Sequence, residues 1–227
     1  MNELFLIIIL FITTFTTYLL YKIFDKRGFY FSIVIMNIIT FILSFKIVTC
    51  LKLNINLGIV SYLSTLTIIY LFIIKYGKKE IKELIKISLY TNILTALFLT
   101  ISNYYIPAIT ETISINIKDT FITNYKILIT YPIIMLLSEI LVTKLYVFVS
   151  SVQNNKMIVI LLTYIITAIL YTIIFYVVAY IKILPIKTSI FIGISTYIVG
   201  LVITTINIGF IYYLIKSKKV MKWLTLP

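Results

Sequence analysis

Seven long apolar stretches divide this chain: Leu4 to Tyr21, Phe29 to Val48, Gly58 to Ile74, Ile87 to Tyr105, Ile127 to Val149, Met157 to Ile181 and Ser189 to Ile215. A helix needs roughly 17 to 25 residues to cross about 30 Å of hydrocarbon, and each stretch meets that requirement. A soluble domain could not hide so much apolar surface, because 62% of the 227 residues are hydrophobic and only 12% are charged. The expected fold class is all-α: a polytopic transmembrane helix bundle of about seven spans, six core plus an N-terminal helix, in a single integral membrane domain over residues 1–227. The lipid bilayer is its expected surrounding partner.

β-Branched residues abound and would ordinarily favour strands. Continuous apolar runs of this length nevertheless lack the alternation of an outer-membrane barrel, and a helix satisfies its own backbone hydrogen bonds in lipid. The first run lacks the basic flank and small-residue cleavage site of a signal peptide, so it is expected to remain as a helix. The third is the shortest, bounded by Asn54, Asn56 and Gly58 before it and by Tyr76-Gly77-Lys78-Lys79 after it.

The formal net charge of +13 reads as a topology signal, since the lysines lie between apolar runs and nucleic acid is not an expected partner. Counting Lys and Arg in alternate loops gives fourteen on one side (Lys22, Lys26, Arg27, Lys75, Lys78, Lys79, Lys82, Lys86, Lys144, Lys156, Lys216, Lys218, Lys219 and Lys222) and six on the other (Lys46, Lys52, Lys118, Lys126, Lys182 and Lys187). Cytoplasmic loops keep positive charge, which predicts a multi-pass protein of the cell membrane with its N-terminus outside and its C-terminus inside. The connection from Ile106 to Tyr125 is expected to be an external cap or re-entrant segment. Residues Tyr76 to Lys86 read as a solvated helix extension, with Glu80 and Glu83 at helical spacings from Lys79, Lys82 and Lys86.

The chain has no histidine and one cysteine, Cys50. A histidine base, a disulfide and a Cys/His metal centre are thereby excluded, no cofactor is expected, and the chain is not expected to be an enzyme.

Glu139 is the only acid near the middle of a span, where an ionisable group is costly enough to mark a functional site by default. The competing role is structural: an ion pair with a lysine on another helix, or hydrogen bonding to neighbouring hydroxyls. Lys144 lies off the i+4 row and is expected to snorkel to the interface. Pro132 predicts a kink in the same helix. Asn37, Asn92 and Asn207 lie within spans, where bonds between helices compete with ligand contacts as their role. Many tyrosines near span ends fit an interfacial belt, whereas Tyr70, Tyr131, Tyr164 and Tyr171 are deeper and could stack on a flat ligand.

Phe24-Asp25-Lys26-Arg27-Gly28-Phe29-Tyr30 after the first run, Asn37, the Gly58 and Tyr62 opening of the third run, and Lys75-Tyr76-Gly77-Lys78-Lys79-Glu80 at its end occur in an informative order. With Asn92, Pro107, Ser138 and Pro185, they make the chain resemble the VUT family of vitamin uptake transporters, which includes queuosine precursor transporters. The likeness covers nearly the whole chain. The family's T-D-I-x-x-E pattern reads here as Ile69-Tyr70-Leu71-Phe72-Ile73-Ile74, its S-Q-x-x-D as Ser138-Glu139-Ile140-Leu141-Val142, and its S-Q-x-x-D-T as Thr163-Tyr164-Ile165-Ile166-Thr167-Ala168. Asn207-Ile208-Gly209 stands where the family has D-T-P. Family acids are therefore replaced at Tyr70, Ile74, Val142 and Thr167, and Glu139 is gained.

The resemblance implies a small-molecule permease for a flat 7-deazapurine. Its substrate-binding residues would be Glu139, Ser138, Tyr70, Tyr164 and Asn207, with the carboxylate accepting ring hydrogens and a tyrosine stacking on the ring. Two other classes stay open: a non-transporting membrane scaffold or partner protein on the same architecture, and a substrate-capture subunit of an energy-coupled transporter. Homo-oligomerisation and docking on a coupling subunit are equally open.

Overall fold

The computed structural model describes residues 2–102, 125–180 and 184–216, with Tyr125 and residues 211–216 given by backbone path alone. Helices α1 (Asn2–Phe24) and α2 (Lys26–Leu43) are joined by one residue, Asp25. Gly28 permits this tight hairpin: a Cβ there would lie 2.1 Å from the Leu20 carbonyl oxygen. Any side chain would force α2 off α1.

The sequence predicts a second span continuing to Val48, but α2 ends at Leu43 and an antiparallel hairpin follows, β1 (Ile47–Cys50) and β2 (Leu53–Asn56), pairing Val48 with Ile55 and Cys50 with Leu53. Its two turn residues, Leu51 and Lys52, have φ of 51° and 64°. Such a two-residue turn normally carries Asn-Gly, so leucine and lysine here conceal it from a sequence reading. Contacts to α1 hold it: the Leu51 N–H donates to Glu3 Oε1 at 3.0 Å, and Asn2 Nδ2 to the Thr49 carbonyl at 2.7 Å. The hairpin's far end is buried among the helices. Asn56 donates its backbone N–H to Thr196 Oγ1 at 3.0 Å and its amide to the Ser44 carbonyl at 2.7 Å. Non-helical backbone survives in a membrane bundle only where protein satisfies its polar groups, which these bonds do.

The helical run Ile59–Ser102 has 44 residues, which would extend about 66 Å and overshoot a bilayer twofold. It breaks at Gly77, whose φ of 82° and ψ of 179° are open essentially to glycine alone. The break yields α3 (59–76) and α4 (78–102). Then come α5 (Tyr125–Val152), α6 (Lys156–Tyr180, with a wider π turn at Leu170–Ile174) and α7 (Ile186–Lys216). Among the described residues six helices are long and apolar enough to cross a membrane; the broken run Ile59–Ser102 is one of them, so the seven expected apolar stretches form seven rods. The expected connection from Ile106 to Tyr125, the fourth stretch beyond Ser102 and the C-terminal lysines after Lys216 lie outside what is described, Tyr125's backbone excepted.

All residues from Ile59 to Ile73 are buried, so the shortest stretch forms the core of the bundle. The run Ile59–Ser102 packs against α1, α2, α5, α6 and α7. Phe11, Phe98, Ile129 and Phe148 are each more than 60% exposed, while Asn37, Ser88, Asn92 and Glu139 are buried. Apolar outside and polar inside is the distribution that lipid imposes.

At one end the α1–α2 turn meets the break between α3 and α4. Lys75 Nζ lies 2.7 Å from Asp25 Oδ1 and donates to the Tyr21 hydroxyl at 2.5 Å, and Tyr76 donates to Asp25 Oδ1 at 2.9 Å. Lys26 pairs with Glu80 at 2.7 Å, and Tyr30 donates to Glu83 Oε2 at 3.0 Å. Among the described pairs, the two glutamates therefore reach across to α2 and not along their own helix to Lys79, Lys82 or Lys86. Partial burial disfavours the charged form of Asp25, but hydrogen bonds from Lys75 and Tyr76 and the lysine charge outweigh it and hold the carboxyl below its ordinary range.

Candidate functional site: a buried polar layer around Glu139

Glu139 lies at the middle of α5 and is fully buried. Its Oε1 accepts a short hydrogen bond from the Ser88 hydroxyl of α4. Ser88 Oγ in turn accepts from Asn37 Nδ2 of α2 at 2.6 Å and from Asn92 Nδ2, one turn further along α4, at 3.5 Å. Asn37 Oδ1 accepts from Thr65 Oγ1 of α3 at 3.4 Å, and its backbone carbonyl accepts from the Tyr131 hydroxyl at 3.1 Å. Three helices thus converge on the Ser88 hydroxyl, and Asn37 extends the network to a fourth, α3.

Two acceptors in this layer remain unpaired among the described residues, Glu139 Oε2 and Asn92 Oδ1. The ion pairs among those residues lie at the Lys26 and Lys75 end, and none includes Glu139. Of the structural roles open to the carboxyl, hydroxyl bonding is the one present, and it occupies one oxygen only. A buried carboxyl with a vacant acceptor lobe is suited to a ligand that brings N–H donors.

Aromatic rings wall the layer. Tyr62 stacks on Tyr171 with centroids 3.9 Å apart and planes 10° apart, and Tyr171 stacks on Phe175 at 5.3 Å. Tyr131 stacks on Phe41 at 4.3 Å. The π turn in α6 carries Tyr171, whose buried hydroxyl has no partner among the described residues. Turns of this kind are frequent at functional sites.

The sequence-derived candidates divide between two layers. Glu139 belongs to the Ser88 layer, and neighbouring Ser138 donates to the Ile134 carbonyl of its own helix at 2.7 Å. Tyr70 and Tyr164 form a separate group: Tyr70 bonds Thr163 Oγ1 at 2.7 Å, Tyr164 makes a short bond with Thr67, and the two rings lie 4.8 Å apart. Asn207 is buried on α7, with an amide nitrogen that has no partner among the described residues. Pro132 lies within α5, which runs unbroken from Tyr125 to Val152. Ser88 and Thr65 escaped the sequence reading. Ser88 could have been found by its i−4 spacing from Asn92, which puts both on one helix face.

Fold and site together define an α-helical integral membrane protein with a polar layer enclosed by aromatic side chains. Comparison with known proteins returns nothing: no family model, curated protein or solved structure matches this chain. Among the described residues there is no group of three or more His, Cys, Asp or Glu able to hold a metal ion.

Proposed function

We propose that this protein is a small-molecule permease whose substrate, a flat nitrogen heterocycle of the 7-deazapurine kind, docks in the Glu139 layer. One observation carries the reading: Glu139 Oε2 and Asn92 Oδ1 are buried acceptors without partners, on residues that share the Ser88 hydroxyl, in a layer walled by stacked tyrosines. A planar ring bearing adjacent N–H groups would donate to those oxygens and stack on the Tyr62 and Tyr171 side. The resemblance to queuosine precursor transporters supports the same ligand chemistry. Because the layer is fully buried, transport requires the helices around it to open alternately to each side.

A second reading is favoured by a different feature. Tyr70, which stands where the family pattern places an acid, bonds Thr163, and Tyr164 bonds Thr67, so these hydroxyls satisfy one another as they would in a non-transporting scaffold. Complementation separates the two: a strain unable to make queuosine but able to use an imported precursor regains the modified nucleoside only if this protein is a permease. Failure with the protein present in the membrane supports the scaffold.

A further inference from the structure

A groove of about 390 Å³ opens on the outer side of α5, lined by Lys78, Thr143, Lys144, Val147, Phe148 and Ser151. Both lysines are exposed and neither has an ion-pair partner among the described residues, and no acid lines the groove. Phe148, 66% exposed, and Val147 supply its apolar lining.

Depth identifies the occupant. With Glu139 central in α5, a rise of about 1.5 Å per residue places Thr143 about 6 Å and Ser151 about 18 Å toward the lysine-rich end. Half the hydrocarbon core is about 15 Å, so the groove crosses the boundary between acyl chains and headgroups. A free anion would meet only the outer part of such a groove, whereas a phospholipid meets all of it. We infer that this groove is a binding site for an anionic phospholipid, with its phosphate at the outer end between Lys78 and the outward-snorkelling Lys144 ammonium, and the first carbons of an acyl chain passing inward against Val147 and Phe148. The pairing of two unneutralised ammonium groups with an apolar wall favours that ligand over a zwitterionic one, whose headgroup cation offsets its phosphate. The inference is independent of the transport reading.

The test is native mass spectrometry of the purified full chain, incubated with phosphatidylglycerol or phosphatidylcholine in detergent. The expected result is retention of phosphatidylglycerol over phosphatidylcholine by at least about fivefold, the worth of one lysine near a charged lipid surface. That preference disappears in Lys78→Gln/Lys144→Gln and persists in Lys52→Gln/Lys187→Gln, which alters lysines of the opposite charge set. Phe148→Ala weakens retention of phosphatidylglycerol while both lysines remain, which separates a lipid from a bare anion. Equal retention of the two lipids by the wild type, an unchanged preference in the Lys78/Lys144 variant, or displacement of the lipid by millimolar inorganic phosphate would overturn the assignment. All the altered side chains are exposed in the bundle, and an unchanged thermal midpoint verifies that the variants fold.

Discussion

The Lys75 ammonium lies 2.7 Å from the Asp25 carboxylate, tying the turn between α1 and α2 to the break between α3 and α4. The two residues are 50 apart in sequence. Lys75 is nearly buried at the contact, with 4% of its side chain exposed, while Asp25 is 67% exposed. The pair marks where Phe24-Asp25-Lys26-Arg27-Gly28 meets Lys75-Tyr76-Gly77-Lys78-Lys79-Glu80, and explains physically why those residue types occur together: the Lys75–Asp25 and Lys26–Glu80 pairs cross-link two helical turns.

Asp25→Asn is expected to destabilise the protein by less than about 1 kcal/mol at neutral pH, because the Asp25 carboxylate is 67% exposed and screened by solvent and the asparagine amide oxygen can still accept from Lys75. The carboxyl is held below its ordinary 3.8 in the folded protein. Its contribution is therefore complete above the unfolded value and fades as pH falls through the folded one. Thermal unfolding in detergent should show wild type and variant differing near pH 7 and converging as the pH falls below the ordinary carboxylate range. A gap that widened on acidification would reverse the sign.

Gly77→Ala should cost about 1–3 kcal/mol through backbone strain alone. Nothing lies within 4 Å of the added methyl, so crowding cannot be the cause. Gly209→Ala is the matched control, open in space and within α7 without a positive φ. There alanine should be neutral or stabilising by up to about 1 kcal/mol, and thermal midpoints of the two variants should shift in opposite directions or by very different amounts.

Lys52→Gly should stabilise the β1–β2 hairpin by about 1 kcal/mol, since φ at this position is 64° and glycine relieves the left-handed penalty. The midpoint of thermal unfolding reads it directly. No gain would mean that the turn relaxes without strain.

Ser88→Ala removes the donor to Glu139 Oε1 and the acceptor of two amides, leaving buried polar atoms unmatched. A loss of about 1–3 kcal/mol is expected, with Ser88→Thr, which keeps the hydroxyl, recovering part of it. If Ser88→Ala were as stable as the wild type, the network would not be holding the four helices.

The bundle was legible in the sequence because length and hydropathy dictate spans whatever the residues do in detail. Gly77 and its flanking lysines marked the break, and Glu139 stood out as an acid in an apolar run. The hairpin was not legible: Leu51 and Lys52 occupy positive φ without a glycine or asparagine to announce it. Ser88 was missed for a different reason. A lone serine in a span is common, and only the tertiary approach of α2 and α5 makes this one the hub. Tyr70 and Tyr164 were grouped with Glu139 by depth and by the family resemblance, whereas hydrogen bonds to Thr163 and Thr67 set them in their own layer.

The central claim is that Glu139 receives the substrate, and uptake of a labelled 7-deazapurine precursor into cells or proteoliposomes tests it most directly. Wild-type protein should accumulate the label, and Glu139→Ala should lower uptake by at least about tenfold, the loss of one charge-assisted hydrogen-bonding carboxylate. Glu139→Gln, which keeps an acceptor and the side-chain volume, should retain part of the activity, and the thermal midpoint should confirm that both variants are folded. Undiminished uptake by folded Glu139→Ala would remove Glu139 from the site and contradict the account.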